Sequence, residues 1–294
     1  MRTWPAPHVP VIPGHGDALR LEDPASAELV VVGGPERCAI ALCGLSPNGR
    51  DVQDVVAAVT ADLVVRTWLD QGLAVSSLLH LADPDGAGRT ATAADLASHS
   101  LEMIALGVIP PDRIVATAPS GVVGAVRDAF PGGSDVVVCG SEVPHGSQLA
   151  ADVAAGSLQM PAAPRDETGP GDRVAEAIPD GVSPIAVRLA LLAQRYREPA
   201  ALGAAELAAA QDRLARWSAA VSGNGGPDPA TLVAQVRAAV SDDLDAPRAL
   251  EAVDRWADLA LSYGQPGGLT DGDVIEGAPG VAARTVDALL GVRL

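Results

Sequence analysis

The stretch LCGLSPNGRDVQDVVAAV, residues 42 to 59, runs from the end of an apolar strand through a polar turn into the start of a helix. In α/β proteins such a junction is where phosphates sit, held by backbone N–H groups at the helix N-terminus. This one carries no His, no Lys and no Gly-rich cradle. No Ser/His/Asp, HExxH or phosphate-loop pattern supplies another chemistry. Ser120 in APSGVVGA starts a helix, and GVVG lacks the spacing and the Lys of a phosphate loop. His99 in ASHSLEMI reads as a helix-surface residue. Asp242, Asp243 and Asp245 in SDDLDAP read as a capping and solvated turn between helices rather than a metal site.

Composition narrows the classes. The 294 residues are 48% hydrophobic but 2% aromatic, so Ala, Val and Leu must fill the core. The formal net charge is −17, and all 20 basic residues are Arg; there is no Lys. A nucleic-acid partner needs a basic footprint on phosphates, so none is expected. No apolar run approaches the roughly 20 residues of a membrane span, and MRTWPAPHVPVIPG does not read as a signal peptide. The expectation is a soluble, cytoplasmic protein without a membrane partner. Cys38, Cys43 and Cys139 are odd in number and lack CxxC spacing, which suits a reducing compartment and small buried side chains.

The elements that must position any site follow from periodicity. Residues 1–35 are rich in Pro and Gly, with ALRL and AELVVV able to form an edge hairpin. Strands are expected at CAIALCG (38–44), LAVSSLLHL, DRIVATA and SDVVVCG (134–140), with helices at 52–72, 91–107 and 119–130. In the first helix Val55, Val59, Leu63 and Arg66, widened by Val56, Val64 and Trp68, predict an apolar stripe facing a sheet. This alternation implies a doubly wound parallel sheet over 36–160 with helices on both faces. Ligands bind such sheets at the carboxyl ends of strands where the winding reverses. Cys43 and Gly44, and the segment from Cys139 to Glu142, lie at two such ends, which meet if the first strand neighbours the fourth. A Pro/Gly-rich linker follows at 161–180, and then five helical segments over 181–294 form a bundle.

Several segments occur together in one order: TWPAPHVPVIPGHGDALRL, CGLSP, ADLVVRTWLDQG, EMIALGVIPPDRIVAT, GSEVPH, IAVRLALLAQRYRE and ARTVDALLGV. That order resembles the cysteinyl-tRNA synthetase-like class I ligases, most closely the mycothiol-pathway ligases that join cysteine to glucosaminyl-inositol with ATP. The resemblance spans the chain from near residue 2 to the C-terminus, with deletions. It implies a class I synthetase, Rossmann-like nucleotidyl-transferase domain followed by a helical bundle, and a cysteinyl-adenylate intermediate.

That chemistry implies three devices. A His-x-Gly-His phosphate clamp would fall on NGRDVQDV, where Arg50 is the lone cation and Asp51 and Asp54 oppose a phosphate. A Lys-Met-Ser-Lys-Ser loop would fall between His145 and residue 184, where a chain without Lys has only Arg165 and Arg173 in a linker. A zinc ion that binds the substrate thiolate would use Cys43 and His145, but the segment bearing the second cysteine ligand is missing. The ancestral zinc site is therefore expected to be lost, with Cys43, Cys139 and His145 as a candidate replacement set. On the nucleotide side Gly44, Ser46, Gly140, Ser141 and Glu142 are vestigial matches. On the amino-acid side Cys43 matches, and Ala82 has lost a hydroxyl in HLAD.

The reading is a degenerate, non-catalytic relative of the cysteine ligase that binds a small molecule (cysteine, an adenylate, ATP or AMP) or a protein partner such as an active relative. The alternative is an active ATP-dependent ligase of cysteine or another carboxylate with a rebuilt site.

Overall fold

A computed structural model describes residues 17–23, 26–33, 38–45, 52–82, 103–117, 122–131, 134–139, 158–160, 182–198, 200–265 and 267–294. Its centre is a five-stranded parallel sheet of β3 (Cys38–Leu45), β4 (Val75–Ala82), β5 (Arg113–Thr117), β6 (Val136–Cys139) and β7 (Leu158–Met160). The strand order is β5-β4-β3-β6-β7, so the winding reverses between β3 and β6. This is the doubly wound arrangement expected from the sequence, with one strand more: β7 is three residues long and carries no periodic signal of its own.

Buried parallel strands read as continuous apolar runs because both faces are covered. On one face Cys38, Ile40, Leu42, Leu79, Leu81, Val136 and Val138 join the larger core with helix α1 (Val52–Asp70). On the other, Ala39, Ala41, Cys43, Leu78, Val137 and Cys139 pack with Val122, Val126 and Ala129 of α2 (Val122–Ala129) and with Phe130. Helix 91–107 lies largely outside the described residues, which show helix only over 103–105.

Helix α1 departs from the expected stripe. Every residue from Gln53 to Trp68 is buried, because the sheet covers one side and the C-terminal helices the other. Those helices are α3 (Pro184–Leu192), α4 (Ala204–Val221), α5 (Pro229–Val240), α6 (Ala246–Leu261) and α7 (Ala278–Leu290), and the larger core runs through them without a break. Leu232, Val236 and Val240 form the inward stripe of α5. Asp245 caps α6 by accepting from the Arg248 N–H at 3.2 Å.

Burying α1 on all sides leaves its polar residues without water, and two of them, Asp62 and Arg66, are satisfied in one cluster. Arg188 of α3 donates to Asp62 at 2.5 Å, and Arg66 donates to the same Asp62 oxygen at 2.6 Å. The other Asp62 oxygen accepts the Ile109 N–H at 2.7 Å. Arg66 also donates to the carbonyls of Gly107 (2.5 Å), Asp287 (2.6 Å) and Ala288 (3.0 Å), and Arg188 to those of Leu290 (2.6 Å) and Leu106 (3.2 Å). Gly291, at φ +64, lies so close that a Cβ there would stand 2.6 Å from the Arg188 guanidinium carbon. A side chain at this position would push the end of α7 off the cluster.

A small hairpin, β1 (Arg20–Glu22) antiparallel to β2 (Leu29–Val31), packs on the helical region rather than on an edge of the main sheet. The Arg20 N–H donates to Ser241 O at 2.9 Å, and the Asp243 N–H donates to Arg20 O at 2.8 Å. Asp243 is therefore not a solvated turn residue. Its carboxylate accepts from Tyr196 Oη at 2.7 Å, from the Glu22 N–H at 2.9 Å and from Arg197 at 3.0 Å. Among the described residues no helix is long and apolar enough to cross a membrane.

Burial pushes the Asp62 carboxyl up, but Arg188, Arg66 and the Ile109 N–H outweigh it and hold the group below the usual carboxylate range. Replacing Asp62 by Ala leaves two guanidiniums buried and uncompensated, and urea unfolding should show a loss of about 3–5 kcal/mol. Because the folded pKa is depressed, the Asp62 contribution is complete above the unfolded value of about 3.9 and fades as pH falls through the folded one. The gap between wild type and Asp62→Ala should therefore close in acid.

Candidate functional site

The strand order brings two strand ends together. Cys43 and Cys139 are register partners across β3 and β6, at the carboxyl edge where the winding reverses. Neighbouring strands stand about 4.8 Å apart, so the two thiols are adjacent. Both are buried, at 0% and 2% exposure, and both face α2 within an apolar cluster. Burial pushes the Cys43 thiol far up from its ordinary pKa, and the neighbouring Cys139 adds to the shift. A thiol held protonated is a poor nucleophile at neutral pH.

Gly44 follows Cys43 inside a register shift between Leu42 and Leu45, where β3 stops pairing evenly with β4. Ala82 closes β4 at the same edge, opposite Thr117 of β5. Ser46, Gly140, Ser141, Glu142 and His145 lie outside the described residues, as do Arg50, Asp51, Ser120, Arg165, Arg173 and His99.

His80 was not singled out as a site residue by its sequence. It is fully buried in β4, alternating with Leu79 and Leu81, and so lies on the Leu78 side of the sheet, the side of Cys43. Burial lowers its pKa to about 4. The available signal was a His inside the otherwise apolar run LLHLA. Even with this residue counted, no group of three or more His, Cys, Asp or Glu side chains among the described residues could hold a metal ion. Zinc takes three or four protein donors. Of the candidate set Cys43, Cys139 and His145, the described residues place the two thiols side by side, and His145 lies outside them.

Helix α1 starts at this edge, and its first turn carries Asp54, which is 1% exposed. A carboxylate there complements the helix dipole. Arg66 lies twelve residues beyond Asp54 along the helix, about 18 Å away at 1.5 Å per residue. The cations of the buried cluster are thus at the far end of α1 from the strand ends.

No protein-family model matches the chain. Full-length comparison does find relatives. The L-cysteine:1D-myo-inositol 2-amino-2-deoxy-alpha-D-glucopyranoside ligase of Cellulomonas flavigena is 32% identical over 422 aligned positions that cover 100% of both chains. This chain belongs to that ligase family. The Sanguibacter keddieii ligase of the same name is 29% identical over 433 positions, again across 100% of both. The Streptomyces griseus ligase is 53% identical over 115 residues, 39% of this chain and 26% of its own. An alignment of 422 positions against 294 residues means that the Cellulomonas relative contains more than a hundred positions with no counterpart here. The family member in hand is a shortened one.

Three measurements check this geometry. Iodoacetamide at mildly alkaline pH should label Cys43 and Cys139 at least about 100-fold faster in urea-unfolded protein than in native protein. The His80 imidazole resonances should stay those of the neutral ring down to about pH 4. The unfolded His, with a pKa of about 6.5, takes its proton first, so stability should fall from pH 6.5 toward 4. His80→Gln should remove that part of the slope.

Proposed function

We propose that this protein is a non-catalytic member of the cysteine ligase family, a pseudoenzyme that works in the cytoplasm by binding rather than by forming an adenylate. What supports the reading is the start of α1. Where the resemblance implies an ATP-phosphate clamp, the first helical turn carries a buried Asp54, and the chain contains no Lys at all. Arg66 and Arg188 are committed to Asp62 and to backbone carbonyls. Loss of one preorganised transition-state donor costs about 10² to 10³ in rate, and here a His pair and a Lys loop are both wanting.

The bound molecule belongs to the old substrate classes, cysteine, an adenylate or a nucleotide, held at Gly44, Ser46, Gly140, Ser141 and Glu142 with Cys43 and Ala82 on the amino-acid side. A protein partner, such as an active relative, is the other occupant that the reading admits. The division into an α/β domain at 36–160 and a helical domain at 181–294, joined by a linker at 161–180, belongs to the same proposal.

Pyrophosphate exchange into ATP, run with each amino acid on protein of verified fold, should stay at background. Cysteine-dependent exchange would overturn the proposal. Calorimetry with ATP, AMP, cysteine and a non-hydrolysable cysteinyl-adenylate then separates the two occupants: heat with any of them identifies a ligand-binding protein, and none directs the function to a protein partner.

A further inference from the structure

Helix α6 turns to solvent a charged stripe that is complementary to its own reverse. Arg248, Glu251, Arg255 and Asp258 follow at spacings of three, four and three residues, the a and d positions of a heptad. Their side chains are 59%, 67%, 60% and 59% exposed. When two copies of such a helix lie antiparallel about a two-fold axis at Val253, Arg248 meets Asp258 of the second copy and Glu251 meets Arg255 of the second copy. The two-fold repeats both pairs, so each of the four side chains faces an opposite charge. A parallel pair would set Arg on Arg and Glu on Glu. The pattern therefore specifies one orientation.

Contacts within the protomer leave these charges available. Arg248 reaches Asp242 at 3.9 Å, Arg255 reaches Glu251 at 3.9 Å, and Arg216 of α4 reaches Asp258 at 3.5 Å. Arg255 also donates to Gln235 at 3.2 Å. Exposed contacts of this length are worth little, about 0–1 kcal/mol each. Beside the stripe a groove of about 280 Å³ runs between Ala234, Gln235 and Ala238 of α5 and the two arginines. Its alanines let a second helix approach closely. Leu259, 45% exposed, flanks the stripe and falls opposite Pro247 of the second copy in the same register.

We propose that the protein associates with a second copy of itself through antiparallel α6 helices, in the register that pairs Arg248 with Asp258 and Glu251 with Arg255. Chains of net charge −17 repel, and a Debye length of about 8 Å at physiological salt confines that repulsion to what lies close. A stripe balanced in charge and self-complementary is the surface on which two such chains can meet. Because the contact is one helix wide, the dimer is a weak and reversible one.

Sedimentation equilibrium of the full chain should show a reversible monomer–dimer equilibrium at about 0.15 M salt. R248E/R255E, with an all-acidic stripe, and E251R/D258R, with an all-basic one, should each be monomeric, and an equimolar mixture should dimerise again. R248K/R255K should keep the dimer, and circular dichroism melts of all variants should match wild type because the positions are exposed. If a reversed chain fails to fold, E251Q/D258Q carries the test, with dimer affinity expected to fall at least about 10-fold. Three results would each overturn the proposal: a wild type monomeric at about 500 μM, a dimer indifferent to these substitutions, or a mixture that remains monomeric.

Discussion

Much of the architecture depends on one carboxylate. Asp62 sits in a helix with no solvent face, and both of its oxygens are bonded, one to two guanidiniums and the other to the Ile109 N–H. The guanidiniums reach on to carbonyls at the end of α7 and in the turn that precedes β5. Four segments far apart in the chain thus end on one charge. A buried ion cluster contributes little net stability compared with apolar packing of equal volume, because desolvation offsets the attraction. Its consequence is geometric: α1, α3 and α7 can meet in few other registers without leaving a charge buried and unpaired.

This constraint bears on the functional reading. Guanidiniums fixed on a carboxylate and on helix-end carbonyls cannot turn toward a triphosphate, and theirs are at the opposite end of α1 from the strand ends. At those ends the side chains seen are apolar or sealed: the thiols of Cys43 and Cys139, and a His80 kept neutral by burial. The family's scaffold is kept by packing that needs no catalytic residue. On the proposed reading, the strand and helix of this junction persist because they hold the core together, and the helix starts with a buried Asp54.

Much of this was legible in the residues. Strands β3 to β6 follow from apolar runs bounded by turns, and four of the five C-terminal helices from their Pro starts and 3.6-residue periodicity; α4 starts after Gly203, with Glu206 reaching back to its N–H. The meeting of Cys43 with Cys139 followed once the strand order was the doubly wound one. Other features were not legible, for physical reasons. A three-residue strand such as β7 has too few side chains to show a period. The all-round burial of α1 is a property of its neighbours, which is why Arg66 read as part of a stripe and not as a ligand of Asp62. Arg188 lies in the apolar run IAVRLALL, and a charge in such a run signals a buried partner without naming it. Likewise, His80 alternates correctly for the sheet, but its pattern says nothing of how dry its surroundings are.

The central claim is that the chain keeps the ligase scaffold without adenylate chemistry. A single-turnover experiment tests it most directly, with folded protein in excess over labelled ATP, cysteine present, and AMP and cysteinyl-adenylate followed by quenched flow. A non-catalytic protein forms no product above the protein-free rate. Formation of cysteinyl-adenylate in amounts approaching the ATP supplied would contradict it.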